Sequence, residues 1–218
     1  MSTTAYFGQA THTLTIIGQQ EPTEEHLRTL HNGYLADLMR AIRSGTIPRR
    51  DDFQKFLGLL PELKVWKTIK LGLSKSADEY RQAIKAKGNR ISDWGNDILG
   101  KPDFKTATEE REVDLVVASN AELGYPDGAT VKQTFDRAME LGLELCPNEV
   151  GPALRKQYQD QPMGEWILIA MEPITGSDGR LRVFYVGHGG YGRWLSADWA
   201  IPEIRWNLES ELVFVRRK

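Results

Sequence analysis

Trp166-Ile-Leu-Ile-Ala-Met-Glu-Pro-Ile174, Thr175-Gly-Ser-Asp-Gly179 and Leu181-Arg-Val-Phe-Tyr-Val186 follow one another in the last third of this 218-residue chain. Upstream, apolar residues recur at helical spacing; from Gly164 onward the period becomes two, and two β-rich runs flank a Gly-Ser-Asp-Gly turn. That combination predicts a β-hairpin. Arg193–Trp199 and Glu211–Val215 read as two further strands. Residues 161–218, with Trp166, Trp194, Trp199 and Trp206, are therefore expected to form a tryptophan-rich antiparallel β module.

Working back from this module, Val113–Ser119 is apolar except for Asp114, the pattern of a strand covered on both faces. Val65–Leu73 reads as another strand, with Val65, Ile69, Leu71 and Leu73 on one face. Ser76 with Glu79, and Thr130 with Gln133, are spaced as capping boxes. They open helices with apolar stripes at Ala77, Tyr80, Ala83 and Ile84, ended by Gly88, and at Val131, Phe135, Ala138 and Met139, ended by Gly142. Ser92-Asp93 starts a short helix carrying Trp94, Ile98 and Leu99, and another helix is expected after Pro152.

In the first sixty residues, Thr11–Ile17 reads as a strand and Pro22-Thr-Glu-Glu25 as a helix start. Leu27, Leu30, Tyr34, Leu35, Leu38, Met39 and Ile42 form its stripe, weakened at Asn32-Gly33 and stopped at Ser44-Gly45; Phe53–Leu60 is a second short helix. The expected class is α+β: a helical N-terminal segment (1–62), a mixed α/β middle (63–160) and the antiparallel module (161–218), the last two forming one folding unit.

Hydrophobic residues at 40% and charged residues at 27% permit a real core, and a formal charge of −2 implies no polyanionic partner for the whole molecule. Cys146 is the one cysteine, so no internal disulfide forms and a reducing compartment is favoured. No run approaches the roughly 20 apolar residues of a bilayer span. Met1–Gly8 has neither a charged nor an apolar leader region. The expectation is a soluble cytoplasmic protein without membrane attachment.

Four strings carry a resemblance: Ile91-Ser-Asp-Trp-Gly-Asn-Asp-Ile-Leu99, Glu112-Val-Asp-Leu-Val-Val117, Leu141-Gly-Leu-Glu-Leu-Cys-Pro-Asn-Glu-Val-Gly-Pro-Ala-Leu-Arg155 and Gly164-Glu-Trp-Ile-Leu-Ile-Ala-Met-Glu-Pro-Ile174. They are similar to those of an uncharacterised bacterial protein family over residues 65–218. The resemblance implies a bacterial origin and no mechanism.

Several constellations compete for function. Cys146 precedes Pro147, and a helix N-terminus there would favour a thiolate with His188 as its base; a small buried apolar cysteine is the commoner reading. His12, His26, His31 and His188 have no ligand spacing, so neither metal nor cofactor is expected, and His31 beside an apolar stripe reads as a hydrogen-bonded core residue. Gly187–Arg193 reads as a loop between strands whose amides, with Arg193, suit an anion.

From Lys64 to Arg90 there are eight basic residues against two acidic ones, enough for phosphate contacts or merely a solvated face. Residues 131–158 hold a weak helix-turn-helix pattern, opposed by Pro152 inside its second helix.

The reading these residues favour is a non-catalytic binding or protein-interaction role for the β module, taking an unknown protein or small molecule through His188, Tyr191, Arg193 and Trp194. The first alternative is nucleic-acid binding through Lys64, Lys67, Lys70, Lys75, Arg81, Arg155 and Lys156. The second is a hydrolase or transferase built on Cys146 or on the carboxylates Glu165, Glu172 and Asp198.

Overall fold

The computed structural model describes residues 20–46 and 63–217. The chain divides into two compact units, residues 1–59 and 60–218. In the first, helix α1 (Glu24–Thr29) starts where the acidic first turn predicts: Thr23 Oγ accepts from the His26 amide, and the His26 ring accepts from the Thr23 amide. A π-helical turn (Leu30–Tyr34) separates it from α2 (Leu35–Ser44), because Gly33 takes φ +104° and interrupts the helix at Asn32-Gly33. Gly45, in the left-handed region, ends α2. His31 is solvent-exposed and not a core residue. The expected strand at Thr11–Ile17 and helix at Phe53–Leu60 lie outside the described residues.

The second unit runs β1 (Lys67–Leu71), α3 (Ala77–Ala86), β2 (Arg90–Ile91), α4 (Asp93–Leu99), β3 (Arg111–Ser119), β4 (Ala129–Thr130), α5 (Val131–Glu140), β5 (Leu143–Glu144), α6 (Val150–Gln157), β6 (Trp166–Ile169), β7 (Ile174–Thr175), β8 (Leu181–Gly189), β9 (Gly192–Trp199), β10 (Arg205–Trp206) and β11 (Glu211–Arg216). The class is α+β. Nine strands form one sheet in the order β1-β3-β11-β6-β8-β9-β2, with β5 added to β11 and β7 to β8; β4 and β10 pair separately.

The antiparallel meander β6-β8-β9 matches the period-two reading. It is continuous with the middle of the chain, because β11 pairs parallel with β6 and antiparallel with β3. The sheet is therefore mixed. Among the described residues, no helix is long and apolar enough to cross a membrane.

Register assigns the two faces. Ile69, Val113, Val213, Ile169, Phe184, Val186 and Leu195 share one face, all buried. Helix α6 covers it, so closely that a Cβ on Gly151 would lie 2.7 Å from the Phe184 ring. Trp166, Leu168, Tyr185 and Trp194 stand on the opposite face.

Two side chains from the α6 region fix β1. The Glu149 carboxylate, buried beside the helix start, accepts from the Gly72 amide (2.9 Å), the Tyr80 hydroxyl (2.6 Å) and the Ala107 amide (2.7 Å). Burial and this carboxylate push the Tyr80 phenol far above its usual range. Gln157 pairs with the outer edge of β1 like a strand, accepting from the Lys70 amide (3.0 Å) and donating to the Lys70 carbonyl (2.8 Å).

The hairpin turn is bolted to the helical side. Asp178 takes a bidentate contact from Arg182 (2.6 and 2.8 Å), whose buried guanidinium lies 3.9 Å from the Trp94 ring centroid. Asp97 on α4 accepts from the Ser177 amide (2.7 Å) and hydroxyl (2.5 Å). The Ser177 hydrogen bonds, with Lys101, hold the Asp97 carboxyl down at about 2, and the Arg182 guanidinium holds that of Asp178 well below the carboxylate range.

Several expectations require correction. The strand expected at Val65–Leu73 is shorter: Val65 lies before its start and is exposed, and Leu73 is exposed because the chain turns away at Gly72 (φ +75°). Ser76 caps α3, but Glu79 accepts from the Lys75 amide and no capping box closes; at Thr130 the box is complete. Met139 is 41% exposed, since α5 buries only its Val131, Thr134, Phe135 and Ala138 side. The helix-turn-helix does not form. Strand β5 and a Cys146–Met171 bridge separate α5 from α6, and Val150 through Arg155 are all buried, leaving no recognition surface. Pro152 falls in the first turn of α6, where its missing amide costs little.

Two stability predictions follow from these anchors. Glu149→Gln leaves one of three buried donors without an acceptor and should lower unfolding free energy by about 2–3 kcal/mol in urea titration. Asp97 and Asp178 have folded pKa values below their unfolded ones, so the stability they add is complete above about pH 4 and is lost as pH falls towards 2. Thermal scans should show the midpoint falling more steeply across that window in wild type than in Asp97→Asn/Asp178→Asn.

Candidate functional site

The glycine-rich segment serves a packing purpose. Gly189 pairs with Gly192 across a tight turn, with Gly190 and Tyr191 at its tip. The Trp194 indole lies over the glycines of β8: a Cβ would come within 2.8 Å of its ring at Gly187 and 2.9 Å at Gly189. Trp194 in turn meets Trp166 edge to face (centroids 5.4 Å, 85°), and Trp166 stacks on Tyr185 (5.2 Å, 9°). Such pairs stabilise by about 0.5–1.5 kcal/mol each beyond area burial, so the aromatic group is pre-organised.

Trp166 nevertheless remains 55% exposed. Together with Tyr185, Ile167 and Leu168 it lines a cleft of 330 Å³, completed by Asp198 on β9 and by Asn207, Glu209 and Ser210 before β11. One part of the lining is aromatic and aliphatic; the rest carries two carboxylates, an amide and a hydroxyl. Ser210 Oγ donates to Asn207 Oδ1 (2.9 Å), which orders the polar side. Asp198 accepts from the following amide of Trp199 and feels the charge of Arg182, but neither Asp198 nor Glu209 forms an ion pair among the described residues. On the opposite face of the sheet, the side of Ile167, burial and the carboxylates of Glu165 and Glu122 push the Glu211 carboxyl upward.

The four residues expected from the sequence are divided by the sheet. Trp194 belongs to the aromatic face. His188 and Arg193 pair with each other across the hairpin on the other parity. There Nδ1 of His188 is 2.6 Å from the Gln161 carbonyl, and Arg193 donates to the Gln159 carbonyl and to Asn89 (3.4 Å). Tyr191 is 83% exposed at the tip, with Arg90 6.0 Å from its ring centroid.

The basic residues converge only in part. Lys67, Lys156 and Lys87 line a groove of 510 Å³ with Thr68, Ile69, Gln157 and Gln159. Lys67 is paired with Asp160 (3.6 Å) and Lys156 reaches Ser74 (3.3 Å). Lys75 donates to the Thr108 carbonyl, and Arg81 to Asn96 and Asp78. Lys64 and Lys70 are exposed on either side of Lys67 in the chain. Arg155 is fully buried; it donates to Gln161 and to the Tyr158 and Gly187 carbonyls and is out of reach of a phosphate backbone. Desolvation and the charge of Arg193 lower its pKa to about 10.

The cysteine reading loses its physical basis. Helix α6 begins at Val150, so Cys146 is not at its first turn; the buried thiol donates to the Val213 carbonyl (3.4 Å), and burial pushes its pKa far up. Glu165 accepts from Tyr158 (2.8 Å), Glu172 is solvent-exposed, and of the three carboxylates considered only Asp198 lines the cleft. Among the described residues no three His, Cys, Asp or Glu side chains form a metal cluster.

Tyr185, Asn207, Glu209 and Ser210 carry no site signal in the sequence, and Trp166 stands out there only as one of the tryptophans of the β module. The available signal was parity: Ile167 and Ile169 bury one side of β6, which leaves Trp166 and Leu168 on the other.

No protein-family model, curated protein or solved structure matches this chain.

The packing of Trp194 on glycine yields a test. Gly187→Ala should push the indole off β8, lowering stability by about 1–3 kcal/mol and shifting tryptophan emission, whereas Gly190→Ala, in open space, should change neither appreciably. Equilibrium unfolding monitored by fluorescence reads both.

Proposed function

We propose that this chain is a non-catalytic binding protein whose ligand seats in the cleft between the Trp166–Tyr185 stack and the Asp198/Asn207/Glu209/Ser210 side. The carrying observation is an exposed tryptophan held rigidly by two aromatic neighbours beside two carboxylates that form no ion pair among the described residues. Ligand sites combine an apolar wall with a few fixed polar groups, and the cleft lies at the lower end of their usual size range, roughly 300–1,000 Å³. The inert thiol and the dispersed carboxylates support binding over catalysis.

Bacterial kinship and a cytoplasmic setting belong to the same proposal; the single cysteine suits a reducing compartment. A second reading, nucleic-acid binding, draws on the Lys67/Lys87/Lys156 groove. It is weakened by the internal partners of Lys67, Lys75, Arg81 and Arg155.

Ligand-observed NMR against a panel of sugars, amino-acid derivatives, amines and nucleotides tests the proposal. Binders should lose at least tenfold in affinity in Trp166→Ala, which should stay folded with a loss of about 1–2 kcal/mol. A binder indifferent to Trp166→Ala but sensitive to Lys87→Ala/Lys156→Ala would move the site to the basic groove.

A further inference from the structure

Around this unit, exposed aromatic rings are covered by the protein's own cations. Arg182 lies over Trp94 (3.9 Å), Arg180 over Trp199 (4.6 Å) and Arg90 over Tyr191 (6.0 Å). Trp166 is the exception: it is as exposed as these rings, and among the described residues no cation lies over it or over Tyr185. Beside it stand two carboxylates that form no ion pair among the described residues, Asp198 and Glu209; Asp198 feels the charge of Arg182, whose guanidinium is already held by Asp178.

We infer that the cleft receives a guanidinium, presented by an arginine side chain of a partner polypeptide. This deepens the proposed binding role and rests on it. Indole and phenol faces attract cations through their quadrupoles, and the carboxylates add charge-assisted acceptors that a planar guanidinium can engage while it stacks. Arginine rather than lysine is the residue this molecule itself uses on its exposed rings. Leu208, 42% exposed between Asn207 and Glu209 in the chain, gives apolar footing to the segment bearing the arginine.

The experiment titrates acetyl-Gly-Arg-Gly-amide into the full chain and follows the tryptophan indole resonances by NMR. Acetyl-Gly-Lys-Gly-amide, methylguanidinium, glucose and adenosine monophosphate serve as comparisons. The arginine peptide should shift the Trp166 indole and bind more tightly than every comparison. Asp198→Asn/Glu209→Gln, both on exposed side chains, should weaken it at least about threefold, as should Trp166→Ala.

Methylguanidinium binding as tightly as the peptide would overturn the polypeptide source. Glucose or the nucleotide shifting Trp166 while the arginine peptide does not would overturn the cation and leave the cleft's binding role standing. Silence from all five probes overturns the inference, and the binding role falls with it only if the wider ligand panel also finds no binder sensitive to Trp166→Ala.

Discussion

A buried carboxylate without a counter-cation among the described residues sits where distant segments of the chain meet. Glu149, at the start of α6, holds the amide just after β1, the phenol of α3 and the amide of Ala107. Removing a charge from water costs several kcal/mol, and hydrogen bonds from all three donors are what make the burial tolerable. Because those donors come from sequence positions 72, 80 and 107, satisfying the carboxylate brings β1, α3 and the approach to β3 together at α6. With α6 fixed, Phe184 packs on Gly151 and Gln157 reaches the β1 edge. The covered face of the sheet is set from this point.

The opposite face follows by parity. Once Ile167, Val186 and Leu195 are committed to the helical side, Trp166, Tyr185 and Trp194 have to stand on the other. The hairpin bolt at Asp97, Ser177, Asp178 and Arg182 fixes the far end of β8, and glycine at 187 and 189 lets the indole of Trp194 lie flat against it. A rigid aromatic group at the surface is thus a consequence of core packing by the adjacent residues of the same strands. Its polar complement comes from elsewhere in the chain, on β9 and the segment before β11.

Much of the architecture was legible locally. The Thr130 box, the Ser92 cap, the Gly33 break and the period-two runs each depend on neighbours within a few residues, and each is found in place. What pattern reading missed is non-local. Nothing near Glu149 in sequence reveals that its acceptors will be filled from positions 72, 80 and 107. Arg155 and Arg193 looked like surface cations because their partners are backbone carbonyls, which leave no sequence signature. Glycine runs near Arg193 suggested an anion loop, whereas their small size makes room for an indole one strand away. The cleft escaped notice because its two sides are some forty residues apart along the chain.

The placement of β11 bears on how the chain is made. Strands β1 and β3 lie on one side of it and the β6-β8-β9 meander on the other, although all of them precede it in sequence. During synthesis the two groups exist as separate half-sheets, each with an inner edge of unpaired amides and carbonyls. They cannot unite until residues 211–216 have emerged and threaded between them. Closure therefore waits on contacts of long sequence separation, which slows folding, and the two raw edges are what a chaperone would have to shield in the interval.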